Sequence, residues 1–152
     1  MRLKLPITLA LSLFVTAAVA QPAETFKYLS AADVAALTAK PGPGPKTGHL
    51  AEHPAYDVEY ALRSDSGNMV EVHAHTTHYI HILDGQGTLT YGGKVTDGKE
   101  TAPGEIRGNT IAGGKVQAVH AGDYLQIPAG TPHLFNAAAG TKLHYLVFNI
   151  KG

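Results

Sequence analysis

Four of the nine histidines in this chain, His73, His75, His78 and His81, fall within nine consecutive positions, and there is no cysteine anywhere. Clustered neutral imidazoles on one short stretch are what a divalent transition metal uses as ligands. On an extended strand alternate residues face the same way, so Glu71, His73 and His75 share one face while Val70, Val72 and Ala74 share the other. Counting onward, His78 lies with Ile80 and Ile82, and His81 lies with Tyr79 and Leu83 on the opposite face. Both of those faces are apolar, so alternation alone leaves open which one looks into an interior. A second stretch, GDYLQIPAGTPHLFN (122–136), puts His133 directly after a strand and a proline-glycine turn. A rigid turn of that kind can aim a side chain back across a sheet.

The two stretches resemble the paired motifs of the cupin superfamily. The first family motif runs Gly, five residues, HxH, three or four residues, Glu, six residues, Gly; here Gly67, His73, His75 and Gly85 match, and His78 stands where the family has Glu. The second runs Gly, five residues, PxG, two residues, His, three residues, Asn; Gly122, Pro128, Gly130 and His133 match. Two departures stand out: only Thr76 and Thr77 separate His75 from His78, one fewer than the family minimum, and Asn136 comes one position early. The resemblance implies His73, His75, His78 and His133 as ligands of one divalent transition metal, Fe, Ni, Cu, Zn or Mn, with Glu71 or His81 as the replacement if His78 does not serve. His49, His53, His120 and His144 match no motif position and read as structural or exposed.

Four neutral imidazoles would leave a divalent ion its full charge, which favours an anionic substrate or a bound hydroxide. A six-coordinate ion would keep two open positions, whereas zinc held tetrahedrally by all four would keep none. Chemistry at such an ion also needs an acid or base. Glu71, on the expected ligand face, is one candidate; Glu105 is another, and Arg107 beside it could clamp a substrate carboxylate if the segment carrying them folds over the barrel mouth. An ion pair on a solvated hairpin is the alternative role for Glu105 and Arg107.

The elements that must position these residues are mostly strands. SAADVAALTAK (30–40) has the pattern of a short helix capped by Ser30, and PGPGP (41–45) must end it. Extended runs follow at 56–63, 68–75, 78–83, 87–93, 116–119, 123–128 and 141–150, separated by turn residues such as SDSG (64–67) and DGQG (84–87). The polar, glycine-rich stretch 94–114 reads as a long loop or hairpin excursion. Short, evenly punctuated strands argue for an all-β barrel or sandwich, and the resemblance makes it a single-domain cupin-type double-stranded β-helix, a jelly-roll barrel, with a short N-terminal helix. The expected division is 1–20 leader, 21–55 helix and Pro/Gly-rich connector, and 56–152 barrel.

The leader reading rests on MRLKLPITLALSLFVTAAVA (1–20): basic residues at Arg2 and Lys4, a short apolar run, then Ala18, Val19 and Ala20 before Gln21. That is the order of a secretory signal peptide cleaved after Ala20, giving a secreted or periplasmic protein. Its removal leaves ten basic against twelve acidic residues, a net charge of −2 with histidines neutral. Nucleic acid is thereby an unfavourable partner, and so is an anionic membrane after signal removal, because each needs a basic patch. The expected function is an exported metalloenzyme acting on a small oxygenated or carboxylate compound, of dioxygenase, decarboxylase or isomerase type. The alternative is a non-catalytic cupin that holds a metal or small ligand. Exposed strand edges would allow a homodimer.

Overall fold

The computed structural model describes residues 25–39 and 45–152; the expected leader and all but Pro45 of the PGPGP connector lie outside the described residues. Helix α1 (Ala31–Leu37) starts where Ser30 accepts a hydrogen bond from the backbone N–H of Asp33 while the Asp33 carboxylate receives the Ser30 N–H, a reciprocal cap. Thirteen strands follow among the described residues: β1 (Lys46–His53), β2 (Tyr56–Ser64), β3 (Val70–His73), β4 (Thr76–Asp84), β5 (Gln86–Tyr91), β6 (Lys94–Val95), β7 (Lys99–Ala102), β8 (Glu105–Gly108), β9 (Ile111–Ala112), β10 (Lys115–His120), β11 (Tyr124–Ile127), β12 (His133–Ala137) and β13 (Lys142–Lys151).

They form two sheets facing each other, in the orders β1-β2-β13-β4-β11 and β10-β5-β12-β3-β8-β7, with β6-β9 as a small flap. Every pairing is antiparallel. The result is an all-β double-stranded β-helix carrying, among the described residues, one short helix. Strand β13 is the spine of the first sheet because its inward row, Leu143, Tyr145, Val147 and Asn149, is buried along nearly its whole length. Ile80, Ile82, Leu89, Val119, Ile127 and Phe135 complete the core between the sheets.

One segment differs from the sequence reading, and another takes one of the two forms it offered. The barrel does not start at residue 56: β1 pairs with β2 over Lys46–His53, with a bulge between His49 and Ala51 that interrupts the alternation a sequence reader relies on. The stretch 94–114, read as a long loop or hairpin excursion, takes the hairpin form: two nested hairpins whose strands of two to four residues are too short to show a period. Its inner strand β8 pairs with β3 in the register Glu71↔Arg107 and His73↔Glu105. The hairpin tip is tied down by the Ala74 N–H donating to the Gly104 carbonyl at 2.8 Å.

Turn chemistry sets the rest of the frame. Gly85, between β4 and β5, has φ +87°, and a Cβ there would lie 2.1 Å from the Lys142 carbonyl oxygen, so only glycine fits. The turn between β11 and β12 is anchored by the Gly130 N–H, which donates to the His73 carbonyl at 2.8 Å. Together with the His133↔Glu71 pairing, that bond sets the start of β12 against the end of β3.

Candidate metal centre

Strand ends bring three imidazoles together. His73 is the last residue of β3, His78 sits early in β4 and His133 opens β12. Their ring centroids are 4.6 Å (His73–His78), 5.1 Å (His78–His133) and 5.5 Å (His73–His133) apart. One ring nitrogen from each lies within 4.8 Å of the other two. His78 and His133 are buried, 7% and 3% exposed, beneath a polar cavity whose floor is the core residues Ile80, Phe135, Tyr145 and Val147.

Hydrogen bonds determine which nitrogen each ring offers. His133 Nδ1 faces the Thr131 carbonyl oxygen at 2.9 Å, and His73 Nδ1 faces a Glu105 carboxylate oxygen at 2.6 Å. A carbonyl and a carboxylate only accept, so in the neutral imidazole the proton sits on Nδ1 and the lone pair on Nε2. His78 Nδ1 likewise meets the Asn149 Oδ1. All three rings therefore carry a bare Nε2, and each Nδ1–H is held in the way that orients metal-bound histidines. Burial, together with neighbouring His78, pushes the His133 ring down to about 4, and burial with His73 lowers His78 as well. Both are neutral at pH 7, as ligation requires.

Glu71 stands beside them. Its Oε2 is 3.8 Å from His133 Nε2, and it lies 3.6 Å from Arg63 and 3.9 Å from Arg107. Burial works to raise this carboxyl, but Arg63, His133 and Arg107 outweigh it and hold the group below the ordinary range. The donor set is thus three imidazoles with an ionised carboxylate at hand, a combination that suits Fe, Mn or Zn.

His75 is not part of it. Strand β3 ends at His73, and Ala74 and His75 form the turn into β4, leaving His75 exposed with its ring against Gly104. Alternation carries a side chain to the ligand face only while the strand lasts, which is where the expected His73–His75 pair fails. Moving the motif two residues back puts Glu71 and His73 in the places of the HxH pair, leaves four residues between His73 and His78 and keeps Gly85 in register, but sets Asp65 where the motif has its first glycine. Glu and His have exchanged places relative to the family pattern. His81 is exposed on the outer face of β4.

Glu105 and Arg107 do face the cavity, carried there by β8. Glu105 is engaged behind His73 and accepts a 3.2 Å hydrogen bond from Arg107, so it orients the ring rather than standing free as an acid or base. The sequence reading missed Arg63, Asp57, Glu59 and Asn149, which also line the cavity; His49, read there as structural or exposed, is exposed and lines its rim. Their signal was alternation: Asp57, Glu59 and Arg63 share the inward face of β2 with Ala61, and Asn149 continues the inward row of β13. His49, Asp57 and Glu59 form a second group with potential ligand atoms within 4.8 Å of one another. Those atoms already serve each other and their neighbours: Lys151 reaches Asp57 at 3.1 Å and His49 reaches Glu59 at 3.4 Å.

With fold and geometry in place, comparison with known proteins is informative. No protein-family model matches the sequence, and no curated protein matches it in sequence. Solved structures do match. A protein with a double-stranded β-helix domain from Klebsiella pneumoniae is similar over 84% of this chain and 92% of its own, with TM-score 0.61 at 14% identity. A cupin 2 conserved barrel domain protein from Rhodopseudomonas palustris covers 71% of this chain and 61% of its own, with TM-score 0.50 at 23% identity. A protein from Thermotoga maritima described as a predicted oxalate decarboxylase covers 71% and 81%, with TM-score 0.52 at 17% identity. The protein has the double-stranded β-helix fold that these structures share, with a histidine cluster lining its cavity.

Proposed function

We propose that this protein is an exported, metal-dependent cupin in which His73, His78, His133 and Glu71 hold one divalent transition metal at the floor of a cavity that takes a small anionic compound. The observation that carries this reading is the convergence of three imidazoles, one ring nitrogen of each within 4.8 Å of the other two, with every Nδ1 facing an acceptor. The export part rests on the pattern of residues 1–20. A bound ion would act as a Lewis acid on substrate oxygens and, if iron or manganese, as a redox centre.

The chain's own residues supply the rest. The cavity, about 360 Å³, is at the scale of a small molecule. Arg63 is buried, rests against the Tyr145 ring, and meets its nearest acid, Glu71, only at 3.6 Å. Arg107 sits on the other side of the same carboxylate. With Glu71 drawn toward an ion, both guanidinium groups have donors to offer a substrate carboxylate, and Arg is the side chain whose geometry suits that group. Similarity to a predicted oxalate decarboxylase agrees with a carboxylate as substrate.

The test is elemental analysis of protein purified without added metal, alongside His73→Ala, His78→Ala and His133→Ala. One equivalent of a transition metal in the wild type, absent from folded His133→Ala, is the expected result. A metal-free wild type that also fails to take up Fe(II), Mn(II), Co(II) or Zn(II) would overturn the reading. Retention of metal with loss of small dicarboxylates in O2-uptake or CO2-release assays would establish turnover; retention with none would make it a binding protein.

A further inference from the structure

His73 and His133 are each oriented by a group that can only accept a hydrogen bond. His78 is different: its partner, Asn149, carries both a donor and an acceptor and could in principle face it either way. The surroundings remove that freedom. Asn149 is 7% exposed, and the antiparallel register places Asp57 directly across from it on β2 and His78 directly across on β4. Three side chains thus stand in one row across three neighbouring strands on the cavity face, the arrangement in which cross-strand neighbours touch.

Asn149 Nδ2 donates to Asp57 Oδ2 at 2.6 Å and to Glu59 Oε2 at 3.2 Å. Reversing the amide would set its oxygen against two carboxylates and its NH2 against His78, losing both bonds and adding repulsion. The amide orientation is therefore fixed by Asp57 and Glu59, which are held in turn by Lys151 and His49. With Oδ1 facing His78, the ring must carry its proton on Nδ1.

We infer that Asn149 is a positioning residue that relays hydrogen-bond polarity from Asp57 and Glu59 to His78, locking the tautomer that leaves His78 Nε2 bare for a metal ion. The inference rests on the metal-centre reading for its purpose, though not for its geometry. A neutral amide meets the need where a third carboxylate would crowd two others, and it commits the wall of β2 to a task that no motif in the sequence signals.

The experiment uses long-range 15N–1H correlation of the imidazole nitrogens in metal-free protein, together with Zn(II) titration against a competing chelator. In the wild type His78 should be protonated on Nδ1; protonation on Nε2 would overturn the inference whatever the variants do. In Asn149→Leu the ring should populate both tautomers, and Zn(II) affinity should fall 10–100-fold, the range for lost outer partners of metal-bound histidines. The exchange Asn149→Asp with Asp57→Asn and Glu59→Gln reverses the roles: the new carboxylate accepts from His78 and from both new amides. It should restore the Nδ1 tautomer and most of the affinity; the tautomer is the deciding readout, because packing alone would not set it. An unchanged tautomer and affinity in folded Asn149→Leu would overturn the relay. A wild type that binds no metal yet shows the Nδ1 tautomer would sink the metal centre and leave the relay standing.

Discussion

The two ends of the barrel are made by the same strands and have opposite chemistry. Along the inward face of β4 the order is His78, Ile80, Ile82; along β12 it is His133, Phe135, Ala137; along β13, read backwards, it is Asn149, Val147, Tyr145, Leu143. Each row changes from ligand or polar to apolar in one pleat step. At the apolar end Ile80, Ile82, Leu89, Val119 and Leu143 are at most 4% exposed and carry no polar side-chain atom. At the other end a cavity is walled by Arg63, Glu71, Glu105, Arg107, Asp57 and Glu59. Burial of apolar surface holds the fold together at one end, so the other can keep charged groups that contribute little to stability. The lesson is a division of labour along each strand, and it can be broken from either side.

The largest effect belongs to the apolar end. Ile82 is completely buried, and Ile82→Ala should cost about 2–5 kcal/mol of unfolding free energy, as cavity-forming core truncations do. Chemical denaturation of the metal-free protein measures this. Metal stoichiometry of the fraction that remains folded should be unchanged. Parallel losses of stability and metal binding would show that the two ends are one cooperative unit and not a scaffold with a separable site.

An intermediate effect comes from the polar end and has a definite sign. His133 titrates near 4 in the folded chain because burial disfavours its charged form, against about 6.5 when unfolded. The unfolded state therefore takes up a proton first as pH falls. The His133 contribution is complete above pH ~6.5, declines below it, and is gone once pH has passed about 4, up to about 3 kcal/mol in all. His78, shifted in the same direction, adds to it. Glu71, whose folded carboxyl is held low, works in the same sense at lower pH. Denaturation midpoints of metal-free protein between pH 7 and 4 should fall in the wild type and be flatter in His133→Leu. An equal slope in both would mean that His133 is not the group taking up the proton.

The two ends were not equally legible in the sequence. The apolar end followed from strand runs with ordinary β-formers, and the all-β architecture came with it. The polar end was read in part. His73, His78 and His133 were named, but the alternation rule was extended past the end of β3 to His75, because nothing in VEVHAHTTH shows that the strand stops at His73. The β3–β8 register, which delivers Glu105 and Arg107, is a long-range pairing formed by strands too short to announce themselves. Asn149 lies 16 residues from His133, the nearest motif histidine along the chain, and Arg63 lies 10 from His73; the β2-β13-β4 pairing is what brings both to the site. Local pattern reports which face a residue takes, whereas the site depends on which strands become neighbours.

The smallest expected effect discriminates most finely between the two registers of the first motif. If His73 and His75 were the ligand pair, His75→Ala would cripple metal binding as badly as His73→Ala. In the structure His75 is exposed in the β3–β4 turn and outside the converging group, while Glu71 lies on the cavity face next to His133. His75→Ala should therefore leave Zn(II) or Co(II) affinity within about twofold of wild type, close to the scatter of surface substitutions. Glu71→Gln should weaken it about tenfold, about 1.4 kcal/mol, because the carboxylate is replaced by a neutral amide of the same shape. The Co(II) visible spectrum adds a second readout: unchanged in His75→Ala, shifted in Glu71→Gln. The reverse pattern would require the turn to refold around the ion and would return the motif to its original register, with Glu71 confined to its arginine partners.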